Sequence, residues 1–192
     1  MNIVVLAGGL STERDVSLNT GTMVSKALRS KGHNVIMLDV FMGYHEEEED
    51  ITDIFNHTEE ASADVAQIPG EAPDIAQVKA MRKDQSACFF GPNVIKICQA
   101  ADIVFMALHG ENGENGKIQA AFDLFGIQYT GSRYLGSALA MDKGISKKMF
   151  EAAGIPTPHG IAMSKTQRHT PFSETGLTLP CVVKPCCGGS SI

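Results

Sequence analysis

The sequence predicts an α/β protein with a mostly parallel sheet, and three observations support that fold class. Apolar runs at 2–6, 34–40 and 101–108 are typical of buried strands. A helical pattern joins the first two runs within about forty residues, and such βαβ units are almost always right-handed and parallel. Glycine-rich polar segments follow the first and third runs, as expected where buried strands end.

The helix expected after the first strand has recognisable ends. Ala7-Gly8-Gly9 predicts the tight turn that leads into it. Thr12 followed by Asp15 resembles a capping box with aspartate in place of glutamate, and Lys31-Gly32 supplies a cation and a glycine at the other end. The apolar stripe expected between these ends comprises Val16, Thr20, Met23, Val24, Ala27 and Leu28.

Residues 43–87 differ in character from both neighbours. They contain the charge block HEEEED and are rich in Ala, Asp, Glu, Gln and Pro. We expect a variable, solvated acidic insert with marginal helix. A metal-binding tract is disfavoured because the segment lacks turn glycines at calcium-loop spacing.

The second half of the chain predicts shorter elements. We expect a helix over 117–125, a short fourth strand at IQYTGS, and helix over 134–154 in two pieces broken near Met141-Asp142. Two more strands are expected, one after the proline-punctuated IPTPHGIAM and one at PCVVKP. Between them, residues 165–179 predict an exposed loop or short helix.

Composition excludes several classes of protein. The net charge of −6 argues against non-specific nucleic-acid binding, and no apolar run approaches the ~20 residues of a membrane span. The start MNIVVLAGG has no basic leader, so we expect a cytoplasmic protein. Its five cysteines lack paired spacing, which predicts reduced thiols rather than a disulfide or metal site. We expect the adjacent Cys186 and Cys187 to point in different directions.

Three polar clusters follow predicted strands: GGLSTERDVS, HGENGENG and KPCCGGSS. Ligands of an open parallel sheet bind outside the carboxyl ends of its strands, so we expect the three clusters to converge. In the first, Glu13 lies near a helix N-terminus, which favours an ionised carboxylate that could hold a substrate ammonium; capping the helix is an equal alternative. In the second, His109 could bind a carboxylate or shuttle a proton.

The third cluster has the chemistry of a phosphate site. Lys184 supplies a point charge, and the glycines and serines of 188–191 allow an anion-binding nest of backbone N–H groups. This differs from a P-loop because the lysine precedes the glycines. A flexible linker is the alternative, which the preceding Lys-Pro disfavours.

The first cluster does not fit the dinucleotide-binding fingerprint. The segment from Gly8 to Glu13 lacks the second and third glycines of the Gly-x-Gly-x-x-Gly pattern, so a pyrophosphate could not approach the backbone in the usual way. Asp39 would suit a ribose hydroxyl, but this match stands alone. A nicotinamide cofactor is therefore disfavoured.

Four segments in order resemble the D-alanine–D-alanine ligase family: AGGLSTERDVSLNTG, ALHGENGENGKIQAAFDLFGIQYTGS, ALAMDKGISKKMFEAAGIPTP and VVKPCCGGSS. The resemblance covers nearly all of the chain except 43–87. It implies a Rossmann-like, parallel-sheet N-terminal (pre-ATP-grasp) domain over 1–130, followed by the beginning of an incomplete ATP-grasp domain over 131–192. It also implies ATP-dependent joining of two D-alanines through an acylphosphate, for peptidoglycan.

The resemblance assigns roles to individual residues. Glu13 would hold the ammonium of the first D-alanine with support from Ser17, and His109-Gly110 would lie near its carboxylate. Two lysines and two serines would serve ATP, and Ser190 would also link to Glu13 as part of the catalytic apparatus. These four ATP-site residues are Lys143, Lys184, Ser190 and Ser191.

The sequence departs from the family pattern in two respects. Cys186 and Cys187 stand where the family usually carries polar or charged residues, so the loop would rest mainly on backbone donors. A complete ligase is roughly twice as long, and the ligands of magnesium (or manganese) are expected in the other half, with no metal ligand in this chain. We therefore expect these 192 residues to be inactive alone.

Several alternatives stay open at this stage. A relative that makes D-Ala–D-lactate or D-Ala–D-serine is not distinguished, because residues that choose the second substrate would lie mostly beyond this chain. Another ATP-grasp ligase, such as a carboxylase, is disfavoured by Glu13 together with His109-Gly110. The chain could also be a non-catalytic binding or dimerisation fragment, and the resemblance implies a homodimer through the N-terminal domain.

Overall fold

The computed structural model describes residues 1–44, 51, 53–56 and 70–188, so the HEEEED block lies outside the described residues. It contains three strands and six α-helices in this part of the chain. In chain order they are β1 (Asn2–Ala7), α1 (Arg14–Arg29), β2 (Asn34–Asp39), α2 (Ile75–Met81), α3 (Val94–Ala100), β3 (Ile103–Met106), α4 (Lys117–Phe125), α5 (Tyr134–Met141) and α6 (Lys143–Ala152).

The three strands form one parallel sheet in the order β2-β1-β3. Strand β1 pairs with β2 from Asn2↔Asn34 onwards and with β3 from Ile3↔Ile103 onwards. The predicted α/β class with a parallel sheet is confirmed. Because β1 is central, the loops that follow β1 and β3 leave the same edge of the sheet side by side.

Both faces of the sheet are covered, which explains why the strands are continuous apolar runs. On one face, Val4 and Leu6 belong to a core cluster with residues of α3 and α4, including the fully buried Phe122. On the other face, Ile3 and Val5 pack with side chains of α1. Alternate residues of one strand therefore serve two separate cores.

Helix α1 packs on the sheet through small and polar side chains together with Leu18 and the predicted Val24 and Leu28. The predicted stripe is wrong at Met23, which is 53% exposed, and at Ala27, which is also exposed. The helix instead approaches through residues such as Gly21, where an added Cβ would lie 2.8 Å from the Cβ of Ala7. The buried members of this helix are Arg14, Ser17, Asn19, Gly21, Thr22 and Ser25.

The predicted capping box of α1 is also wrong. The N-cap residue is Glu13 rather than Thr12, and no side-chain capping bond forms in this described turn. At the other end the helix stops at Arg29, and Gly32 adopts a φ of +80° in the turn that follows. As expected, Gly32 supplies the left-handed turn after the helix, two residues beyond the C-cap Ser30.

One helix and one short pairing differ from the expectation for 43–130. Helix α2 lies within the acidic insert and agrees with the marginal helix expected there, whereas α3 was missed. Its buried residues Val94, Ile97 and Cys98 have the spacing that could have revealed it. The IQYTGS segment makes one parallel bridge, Val104↔Tyr129, and does not extend into a strand.

Residues 131–188 contain helices but no core. Asp142 separates α5 from α6 as predicted and accepts a 2.9 Å hydrogen bond from the Ile145 backbone at the start of α6. Strands expected after 155–163 and at 180–185 are absent from this described segment, which offers them no partner strand. Each described residue from 131 to 188 is at least partly exposed.

Substituting Gly21→Val tests the close approach of α1 to the sheet. We expect the free energy of unfolding to fall by about 1–3 kcal/mol, because the new side chain overpacks against Ala7. Met23→Val places the same β-branched residue at a 53% exposed position of the same helix and serves as the control. Urea denaturation followed by circular dichroism measures both, and equal losses would contradict the packing described.

Candidate functional site at the carboxyl ends of β1 and β3

Two serine hydroxyls tie the loop after β1 to the end of β3. Ser11 Oγ donates to the backbone oxygen of His109 at 2.7 Å and accepts from the Glu13 amide at 3.0 Å. Ser17 Oγ donates to the Ala107 oxygen at 2.8 Å and accepts from the Gly8 amide at 2.9 Å. Ser17 is fully buried, so its hydroxyl fixes the two backbones rather than facing a ligand.

Glu13 lies directly against the loop after β3. Gly110 has a φ of +73°, and a Cβ there would lie 2.6 Å from Glu13 Oε2. The backbone conformation favours glycine here, and a Cβ would also displace the Glu13 carboxylate. The expected meeting of Glu13 with the His109-Gly110 segment is confirmed. Because the Glu13 side chain makes no capping bond in this turn, the capping alternative is wrong.

The His109 ring is held along helix α1. Its Nε2 lies 3.0 Å from Thr20 Oγ1, and Thr20 Oγ1 donates to the Val16 oxygen at 2.9 Å. A threonine hydroxyl has one proton, so it accepts the bond from His109 Nε2–H. In the neutral ring, Nδ1 is then the nitrogen that can accept a proton.

Asp39 is used inside the fold. It forms an ion pair with Arg14, and its Oδ1 accepts from the Phe41 amide at 2.9 Å and the Met42 amide at 3.1 Å. Arg14 Nη1 also donates to the Gly9 oxygen at 2.9 Å. This network joins the loops after β1 and β2, and it occupies the carboxylate that a dinucleotide ribose would need.

The lysine-containing loop is attached to the start of α6. Lys143 Nζ donates to the Gly188 oxygen at 2.9 Å, and the Lys143 amide donates to the Cys186 oxygen at 2.9 Å. Lys184 is exposed. Across the described range, the hydrogen bonds of this loop reach 142–143 and not Glu13 or His109. Ser190 and Ser191 lie outside the described residues.

A cavity of about 350 Å³ lies beside the site and does not include it. Its wall contains Leu10, Phe41 and the buried Arg82, whose guanidinium is paired with Asp84 and lies 4.8 Å from the centre of the Phe41 ring. The charge of Arg82 is already paired with that of Asp84. We therefore assign these contacts to the packing of residues 82–89. We therefore locate the candidate site from the contacts of Glu13 and not from the cavity.

The described parts of the chain hold no cluster of three or more His, Cys, Asp or Glu residues suited to a metal ion. No helix there is both long and apolar enough to span a bilayer.

The family described as D-ala D-ala ligase N-terminus matches residues 2–132. This chain belongs to that family. Its fold is the Rossmann-like N-terminal domain followed by the beginning of an ATP-grasp domain, while the boundary near residue 130 stays a prediction.

Known relatives extend the similarity over the whole chain. D-alanine–D-alanine ligase from Lacticaseibacillus casei is 43% identical over 100% of this chain and 53% of its own length. The structure of D-alanine–D-alanine ligase from Bacillus anthracis complexed with ATP has a TM-score of 0.57 and 26% identity, covering 91% of this chain and 41% of that one. VanG D-Ala:D-Ser ligase from Enterococcus faecalis has a TM-score of 0.59 and 28% identity, covering 98% and 53%. The chain thus spans about half the length of the curated relatives it matches.

Substituting Ser17→Ala tests the attachment of the two loops. It leaves the buried Gly8 amide and Ala107 oxygen without their side-chain partner, so we expect a loss of about 1–3 kcal/mol in the free energy of unfolding. Ser30→Ala changes an exposed serine at the other end of the same helix and serves as the control. Urea denaturation compares the two, and an unaffected Ser17→Ala variant would contradict this assignment.

Proposed function

We propose that this chain is the N-terminal part of an enzyme that joins two D-alanines with ATP for peptidoglycan synthesis. The observation that carries the proposal is the Glu13 carboxylate lying against Gly110, next to His109. An acid and an imidazole at one sheet edge suit the two charged ends of a free amino acid. Relatives across the whole chain are D-alanine–D-alanine ligases, which supports the same substrate class.

At the substrate end, Glu13 holds the ammonium of the first D-alanine. His109 lies near the substrate carboxylate, with its ring oriented by Thr20. Ser17 acts as a positioning residue, and Gly110 provides the space that Glu13 occupies.

At the nucleotide end, Lys143 and Lys184 hold the phosphates of ATP, and we propose Ser190 and Ser191 as further donors over them. Ser190 would also link this loop to Glu13. The ammonium of Lys143 already bonds the backbone oxygen of Gly188, which supports its place in this loop. The ATP complex of the Bacillus anthracis relative supports ATP as the nucleotide.

The reaction we propose is the one that the family resemblance implies. The γ-phosphoryl group passes from ATP to the carboxylate of the first D-alanine, releasing ADP and forming an acylphosphate. The amine of the second D-alanine attacks, and the tetrahedral intermediate loses phosphate. Lysine ammonium groups and backbone N–H donors offset the charge that develops on the transferred group. Magnesium or manganese would neutralise the phosphates, through ligands that we place outside this chain.

Activity requires more chain than these residues. The segment 131–188 buries none of its described residues, and Val182 and Val183 are 79% and 93% exposed. The relatives are about twice as long. We therefore propose that this part alone has no D-alanine-dependent turnover and binds ATP weakly or not at all.

Other functions are kept as proposals for testing. Similarity to VanG D-Ala:D-Ser ligase favours D-serine as an alternative second substrate, with D-lactate as another. A homodimer through the N-terminal domain, with or without catalysis, is tested by size-exclusion chromatography at several concentrations. The exposed free thiols at 88, 181, 186 and 187 support a reducing compartment such as the cytoplasm.

Glu13→Gln tests the proposed substrate contact in the full-length enzyme. It removes the charge that pairs with the D-alanine ammonium, so kcat/KM for D-alanine should fall by about 10- to 150-fold, the equivalent of a 1.5–3 kcal/mol charged hydrogen bond. Coupled ADP release measures it. Glu114→Gln, at an exposed position in the loop after β3, should change kcat/KM little.

Three outcomes would contradict the proposal. Equal activity of Glu13→Gln and wild type would remove Glu13 from the substrate site. A full-length enzyme that releases no ADP with D-alanine would exclude the ligase reaction. D-alanine-dependent turnover by the 192-residue chain alone would contradict the need for the remaining half.

A further inference from the structure

Cys186 and Cys187 contact one carboxylate. Cys186 Sγ lies 3.5 Å from Asp142 Oδ1, and Cys187 Sγ lies 3.9 Å from Asp142 Oδ2. Both thiols are free and exposed. The expectation that these neighbours would point in different directions is therefore wrong.

The local backbone explains this arrangement. Consecutive side chains of an extended strand point to opposite faces, but the chain bends at both cysteines. Lys143 holds the bend on both sides, through its amide to the Cys186 oxygen and its Nζ to the Gly188 oxygen. Asp142 is itself fixed by the Ile145 amide. Both sulfur atoms are thus kept on the side of the chain that faces Asp142.

We propose that Cys186 and Cys187 are a redox-active dithiol that hydrogen peroxide converts reversibly into a disulfide between adjacent residues. In the first step, one thiol reduces peroxide and becomes a sulfenic acid, releasing one water. In the second, the neighbouring thiol attacks that sulfur, the S–S bond forms, and a second water leaves. The two thiols lose two protons and two electrons in total, and one peroxide accepts them.

The surroundings of Cys187 disfavour its thiolate form. The pKa of Cys187 is raised, first by desolvation and then by the Asp142 carboxylate. The pKa of Asp142 is lowered, chiefly by the hydrogen bond from the Ile145 amide. The ionised Asp142 carboxylate therefore accepts hydrogen bonds from the protonated thiols. These bonds satisfy the carboxylate and the thiols without a metal ion.

Ring closure would change the surroundings of Lys143. It removes both S–H donors from Asp142 and alters the backbone that lies between the two Lys143 hydrogen bonds. That this would disturb a phosphate site rests on the proposed function. Formation of the disulfide does not rest on it and is tested separately.

Peptide mass spectrometry of the 192-residue chain tests the proposal. The reduced protein is treated with hydrogen peroxide, the remaining thiols are alkylated, and the protein is digested. We expect the peptide that contains Cys186 and Cys187 to lose two hydrogen atoms, and dithiothreitol to restore it. Cys186→Ser and Cys187→Ser should each abolish this loss, leaving a sulfur that gains oxygen instead.

Cys181→Ser is the matched control, because Cys181 is an exposed free thiol of the same segment. It should leave the two-hydrogen loss unchanged. A disulfide from Cys181 to either neighbour, exclusively intermolecular disulfides, or oxygen addition alone in the wild type would each overturn the proposal. Absence of ligase activity in the full-length enzyme would refute the proposed function and leave this result standing.

Discussion

The hydroxyls of Ser11 and Ser17 are the constraint on which the site depends. Each bonds the backbone at the end of β3 while also accepting from an amide in the first 13 residues, so the two neighbouring loops are fixed relative to each other. These bonds lie in a buried or partly buried setting, where an unpaired polar group is expensive. The same bonds that stabilise the sheet edge therefore also set the positions of Glu13 and His109.

The remaining features of the site follow from that attachment. With the loops this close, glycine suits position 110, because its φ of +73° favours glycine and a Cβ there would displace the Glu13 carboxylate. Ser17 on the buried face of α1 has the same origin, since it bonds the strand ends as well as packing on them. Asp39 completes the edge through Arg14 and belongs to the scaffold. The loops that carry Glu13 and His109 are thus joined by several hydrogen bonds, whereas those of the lysine loop, as far as it is described, reach the start of α6.

The sequence predicted the sheet and its covering helices better than it predicted the contacts of individual side chains. Buried strands and α4 were predictable because their apolar patterns depend on local spacing alone. The burial of Ser17 and Gly21 on α1 was not predictable, because it depends on contacts at the ends of β1 and β3. Strands expected after 155–163 and at 180–185 are absent because a strand needs a partner, which a local pattern cannot report. Likewise, Glu13 and His109 were found from their places at strand ends, but the roles of Ser11 and Thr20 depend on contacts across the fold.

A crystal structure of the full-length enzyme with D-alanine tests the central claim most directly. The account predicts that the D-alanine nitrogen lies at a charged hydrogen-bond distance of about 2.7–2.9 Å from a Glu13 carboxylate oxygen, with the substrate carboxylate beside His109. It also predicts that the Ser11 and Ser17 bonds persist unchanged. D-alanine bound elsewhere, with Glu13 and His109 both facing solvent, would contradict it.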